Sequence, residues 1–218
     1  MLESPAMSKL RAKKIKLILF DVDGVLTDGK IWIFPSPSSA QQSVLEQSAG
    51  AGAPSKLRLG GTAEDVALYT TSLIEAKGFH AHDGTAISLA RLAGIKTGLI
   101  TKRVSETVAL RARDLKIDHV YQGKQDKLTV FRQILEKEGI TAAEAAFVGD
   151  DVIDLPVMRH CGFAVAVKNA RKEVKVQAHW VTPHAGGDGA ARDAVEYILK
   201  AQGKWKKAVD EYTAERSP

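Results

Sequence analysis

Apolar residues along this chain fall in short continuous runs, separated by stretches with helical spacing. Lys16-Leu17-Ile18-Leu19-Phe20 is a mostly apolar run that ends in a polar turn, the pattern of a strand buried on both faces. Thr97–Ile100, Asp118–Tyr121, Ala145–Val148, Phe163–Val167 and His179–Thr182 read the same way. Between these runs Val104, Val108, Ala112 and Leu115 share one helical face. So do Leu128, Phe131 and Leu135, with Gly139 placed to end that helix. Ala191, Ala194, Val195 and Ile198 mark a helix near the C-terminus. Strands alternating with helices predict an α/β fold with a doubly wound, mostly parallel sheet, because parallel neighbours need crossover connections.

The interval 30–80 breaks this alternation. Lys30–Phe34 and Ile74–His80 predict the two strands of a small β-hairpin flap. Residues 35–68 between them are rich in Ser, Gly, Ala, Pro and Gln, which predicts a long loop at the hairpin tip and no large cap domain. Residues 1–14 read as a flexible leader, 15–200 as a single domain carrying the hairpin, and 201–218 as a C-terminal tail.

Composition narrows the classes. With 218 residues, 44% of them hydrophobic, the chain can bury a core without staples. Cys161 is the only cysteine, so no internal disulfide is possible and a thiolate metal centre is disfavoured. That usage fits a reducing compartment, and no run is long and apolar enough to span a bilayer, so a cytoplasmic protein without a membrane partner is expected. The net charge is +5, but the basic residues are spread out and only 6% of residues are aromatic. That argues against nucleic acid and suits a small anionic substrate.

Two acidic clusters carry the candidate chemistry. Asp21-Val22-Asp23-Gly24 follows the first apolar run, so two carboxylates sit at the end of a strand, where α/β sheets place their ligands. One can act on an electrophile or a metal while the other handles protons. Gly149-Asp150-Asp151-Val152-Ile153-Asp154 follows another apolar run, so its carboxylates emerge on the same edge. Such crowding needs a cation, and an all-oxygen set favours Mg²⁺. Thr101 ends a third strand and offers a hydroxyl and a backbone N–H. Lys127 opens a helix, where an ammonium beside an N-terminus attracts an anion.

In this order the four elements resemble the haloacid-dehalogenase-like phosphotransferases, and within them the 3-deoxy-D-manno-octulosonate 8-phosphate phosphatase subfamily. Asp21–Val25, Thr101, Lys127 and Gly149–Asp154 match the superfamily's four motifs. His82-Asp83-Gly84, Tyr121-Gln122-Gly123, Ala185-Gly186-Gly187 and Ala201-Gln202-Gly203-Lys204 support the subfamily. His82, Lys102 and Asp188 stand where that subfamily shows Arg, Gly and Arg.

The resemblance implies a Rossmann-like fold and a magnesium-dependent phosphatase acting on a phosphorylated sugar acid. By it, Asp21 becomes an aspartyl phosphate and Asp23 is the general acid and base. Asp21, the Asp23 carbonyl and Asp150 would hold Mg²⁺, with Asp151 and Asp154 supporting. Thr101 and Lys127 would bind phosphate, and His82, Arg103 and Lys204 would touch the sugar. It also implies a homotetramer whose tails reach toward neighbouring sites. A receiver-type signalling module uses similar residues in another chain order, and an inactive scaffold would have no need for crowded carboxylates.

Overall fold

The computed structural model describes residues 4–35 and 73–214. It divides into two units, Ile31–Lys77 and the remainder. In the larger unit the six apolar runs become β1 (Leu17–Phe20), β4 (Lys96–Ile100), β5 (His119–Tyr121), β6 (Ala145–Gly149), β7 (Phe163–Ala166) and β8 (Trp180–Val181). They form one parallel sheet in the order β5-β4-β1-β6-β7-β8. In register, Phe20 of β1 stands between Leu99 and Val148. Leu17, Ile18, Leu19 and Phe20 are all fully buried, which is why this strand shows no polar alternation.

The helices follow from apolar faces and caps. They are α1 (Pro5–Ala12), α2 (Ala81–Leu92), α3 (Glu106–Asp114), α4 (Lys127–Glu138), α5 (Leu155–Met158), α6 (Lys172–Lys175), α7 (Ala190–Ala201) and α8 (Trp205–Ala214). Asp126 caps α4, accepting from Thr129 N at 3.0 Å, and Gly139 ends that helix in the left-handed region at φ 63°. The buried face of α7 includes Ala191, Ala194, Val195 and Ile198.

In the smaller unit β2 (Trp32–Pro35) pairs antiparallel with β3 (Leu73–Ala76), Phe34 opposite Ile74. The predicted loop over 35–68 lies almost wholly outside the described residues. The predicted second strand ends at Ala76, and His80 caps α2, its Nδ1 accepting from His82 N at 3.3 Å.

The N-terminal stretch departs from the expected leader. Residues 5–12 are the helix α1, with Ser8 and Ala12 buried. Ser8 Oγ donates to His179 O at 2.7 Å and Arg11 Nη1 to Gly162 O at 3.1 Å, so α1 is pinned to the sheet's flank. The segment after Lys200 is likewise mostly helical: α8 starts at Trp205, whose ring lies under Arg192 at 4.8 Å and Lys200 at 5.8 Å.

Candidate active site

β1, β4 and β6 are neighbours, so the loops leaving their C-terminal ends meet. Asp21 N donates to Val148 O at 3.0 Å, fixing the first residue beyond β1 against β6. Asp21, Asp23, Thr101, Lys102, Arg103, Gln125, Asp150, Asp151 and Ile153 line one open cleft of about 400 Å³.

Lys127 organises its floor. Its Nζ lies 2.8 Å from Asp21 Oδ1 and 2.7 Å from Asp154 Oδ1, with the side chains of all three almost wholly buried. Burial alone would lower the Lys127 pKa, but Asp154 and Asp21 outweigh it and hold the ammonium charged. Burial and then Asp154 push Asp21 up to about 6, against the pull of Lys127. Burial, Asp154, Asp21 and Asp151 push Asp150 up to about 7. One ammonium is too little cation for this many carboxylates.

The donor set fits a hard divalent cation. One oxygen from each of Asp21, Asp150 and Asp154 falls within 4.8 Å of the others. Asp150 Oδ1 is shut off from solvent and has no hydrogen-bond partner, an acceptor that a cation would satisfy. Asp154 is already engaged: Oδ1 by Lys127, and Oδ2 by the N–H groups of Asp150 at 3.0 Å and Asp151 at 3.4 Å. Asp21 and Asp150 are therefore the better ligands, and Asp154 holds Lys127 and the turn in place. Asp151 Oδ1 accepts from Val152 N at 2.7 Å and so caps the following 3-10 turn.

The turn after β1 requires glycine. Gly24 has φ +92°, and a Cβ there would collide with the Asp150 carboxylate. Asn169 ties this turn down, with Nδ2 donating to Gly24 O at 3.4 Å and Oδ1 accepting from Gly186 N at 2.7 Å. A Cβ at Gly186 would strike that same Gly24 carbonyl, so the two loops meet backbone to backbone.

Comparison with known proteins decides the family. Residues 96–192 match the haloacid dehalogenase-like hydrolases. The 3-deoxy-D-manno-octulosonate 8-phosphate phosphatase KdsC of Escherichia coli K12 is 35% identical over 198 residues, covering 91% of this chain and 86% of that one. The chain belongs to the KdsC phosphatase family of haloacid dehalogenase-like hydrolases. Among solved structures, the Moraxella catarrhalis phosphatase in complex with magnesium, phosphate and KDO is similar at TM-score 0.75 and 31% identity, covering 96% of this chain and 99% of that one. The Yersinia pestis phosphatase is similar at TM-score 0.73 and 32% identity, covering 92% of this chain and 89% of that one.

Within this KdsC-family chain most of the site residues named from sequence share the cleft, and some do not. Asp21, Asp23, Thr101, Arg103, Asp150 and Asp151 line it, and Lys127 and Asp154 lie beneath. Arg103 Nε stands 3.7 Å from Asp23 Oδ2, facing the cleft's acid. Thr101 N donates to Tyr121 O at 2.9 Å, so its backbone N–H is not offered to a ligand as expected and only its hydroxyl is available. His82 lines a separate depression with His184, Asp188 and Arg192. Lys204 is not brought to this chain's cleft. Its Nζ donates to Ala93 O at 3.1 Å, just before β4 begins, at the opposite edge of the sheet from Asp21. Asn169 and Gln125 went unseen in the sequence, because a lone amide in a loop has no periodic or motif signal.

Proposed function

We propose that this chain hydrolyses the phosphomonoester of a sugar acid, with 3-deoxy-D-manno-octulosonate 8-phosphate as the favoured substrate. The observation that carries this reading is the Asp21–Lys127–Asp154 triad beneath an open cleft, with Asp150 left a free acceptor. The names of the KdsC relatives support the substrate. Another phosphosugar acid, such as a nonulosonate 9-phosphate, is the second reading, favoured by Lys102, which lines the cleft where the subfamily shows Gly.

In the proposed mechanism Asp21 attacks phosphorus, forming an aspartyl phosphate as the bond to the sugar oxygen breaks. Asp23 gives its proton to the departing sugar oxygen. Asp23 then takes a proton from water, whose oxygen attacks the phosphorus, freeing inorganic phosphate and regenerating Asp21. Lys127 and the Thr101 hydroxyl stabilise charge on the phosphoryl oxygens. Asp21, the Asp23 carbonyl and Asp150 would hold Mg²⁺, which when bound neutralises charge between the phosphate and the attacking carboxylate. Arg103 and Lys102 at the cleft rim suit the second anionic group of a sugar acid.

We also infer a homotetramer in the cytoplasm. In the smaller unit Trp32, Ile33 and Phe34 are each about half exposed, an apolar surface suited to burial between subunits. Among the described residues no helix is long and apolar enough to cross a membrane. The reading is tested by measuring phosphate release from a panel of phosphorylated sugar acids, hexose phosphates and nucleotides. Preference for the sugar acids is expected, and equal turnover of hexose phosphates would refute it.

A further inference from the structure

One group of lysines gathers away from the catalytic cleft. A concavity of about 850 Å³ lies where α1 and α7 end and β1 begins, at the sheet edge opposite Asp21. Lys9, Lys13, Lys14, Lys16, Lys200 and Lys204 line it, with Glu144 the one acid among the described residues there. Together these carry five net positive charges, equal to the net charge of the whole chain.

Two of the six lysines are neutralised locally. Lys16 pairs with Glu144 at 2.6 Å and Lys200 with Glu196 at 2.6 Å. Lys204 donates only to the neutral Ala93 carbonyl, and Lys9, Lys13 and Lys14 form no ion pair among the described residues. Four ammonium groups thus remain uncompensated around one hollow. The C-terminal ends of α1 and α7 supply about half a negative charge each. About three positive charges are left over, more than helix termini account for. The floor is braced, since Gln202 Nε2 donates to Ala12 O at 3.2 Å and to Ile15 O at 2.7 Å, joining the two helix ends.

We propose that this basin binds a short polyphosphate chain of three or so phosphates. The surplus charge matches such an anion, and the volume lies in the range of small-molecule sites. Among the described residues no aromatic lines the basin, so they offer no platform for a nucleobase, and a concave surface does not mate with a flat membrane. The site is separate from the phosphatase cleft, where an acidic floor repels a polyanion unless metal is bound.

The test is calorimetric titration of the full chain with inorganic tripolyphosphate in metal-free buffer at low ionic strength. One ligand per chain is expected, with affinity falling steeply as salt is added. The triple variant K9Q/K13Q/K14Q should bind at least tenfold more weakly, while its magnesium-dependent hydrolysis of p-nitrophenyl phosphate stays at wild-type level and so reports an intact fold. K137Q/R159Q/K172Q removes the same charge elsewhere and should keep its affinity within about twofold. Equal weakening in the two triple variants would overturn the proposal, since only overall charge would then matter. Unchanged binding in the first variant would overturn it as well. Tighter binding of single-stranded oligonucleotide, anionic vesicles or an aspartate-rich peptide than of tripolyphosphate would reassign the surface.

Discussion

Lys127 and Asp154 form an ion pair 2.7 Å long whose side chains are 1% and 0% exposed, directly beneath Asp21. Removing one partner of such a pair leaves a buried charge uncompensated. Lys127→Met should therefore cost about 3–5 kcal/mol of stability as well as phosphatase activity. The cost should shrink at low pH, where the stranded carboxylates can take up protons. Urea unfolding at pH 5 and pH 8 checks this, and a loss independent of pH would contradict it.

Asp21 and Asp150 give a second pH signature. Their carboxyls stand at about 6 and about 7 in the folded chain, above the ordinary aspartate value of 3.8. Between about pH 4 and 7 the folded chain thus keeps protons that the unfolded chain has released, so stability falls as the pH rises through that window. Mg²⁺ bound to the ionised pair would offset the fall. Thermal midpoints at pH 5 and pH 8, with EDTA and with Mg²⁺, should show a metal-free chain less stable at pH 8 and a smaller difference with metal.

Gly24→Ala tests the contact between the turn and Asp150, the proposed metal ligand. The substitution forces a side chain into a left-handed backbone at φ +92° and against the Asp150 carboxylate. The backbone strain alone is worth about 1–2 kcal/mol. The larger effect should fall on the displaced carboxylate, so the Mg²⁺ concentration for half-maximal activity should rise at least tenfold. A variant with normal metal dependence would show that the turn tolerates the shift.

The C-terminal ends of the strands were legible because a strand buried on both faces must be written as an unbroken apolar run, as Leu17–Phe20 is. The acidic groups beyond them were legible because carboxylates at a strand end have few other reasons to cluster. Helix α1 was not, since its buried residues are the small Ser8 and Ala12 and its docking rests on a hydroxyl bond to His179 O. Helix α2 was obscured because its buried face includes Asp83 and Gly84, which break an apolar stripe. Lys204 showed only a charge and a glycine neighbour, while its place at the far edge of the sheet follows from where α7 ends.

Asn169 connects the loop after β7 to the catalytic turn and should act as a positioning residue. Asn169→Asp keeps an acceptor for Gly186 N but sets an oxygen against Gly24 O, whereas Asn169→Ala removes both contacts. The Asp variant should therefore lower kcat further than the Ala variant, and both should leave KM for substrate near wild type. A rise in KM without a fall in kcat would place Asn169 in substrate binding instead.

In the proposed mechanism Asp21 is the attacking group, and Lys127 Nζ stands 2.8 Å from its Oδ1. The most direct test of that role is phosphate release from 3-deoxy-D-manno-octulosonate 8-phosphate at saturating Mg²⁺, comparing the wild type with Asp21→Asn. The variant should fold, gain stability from relieved acidic crowding, and lose turnover by at least a thousandfold. A folded Asp21→Asn variant that keeps more than a tenth of wild-type turnover would contradict it.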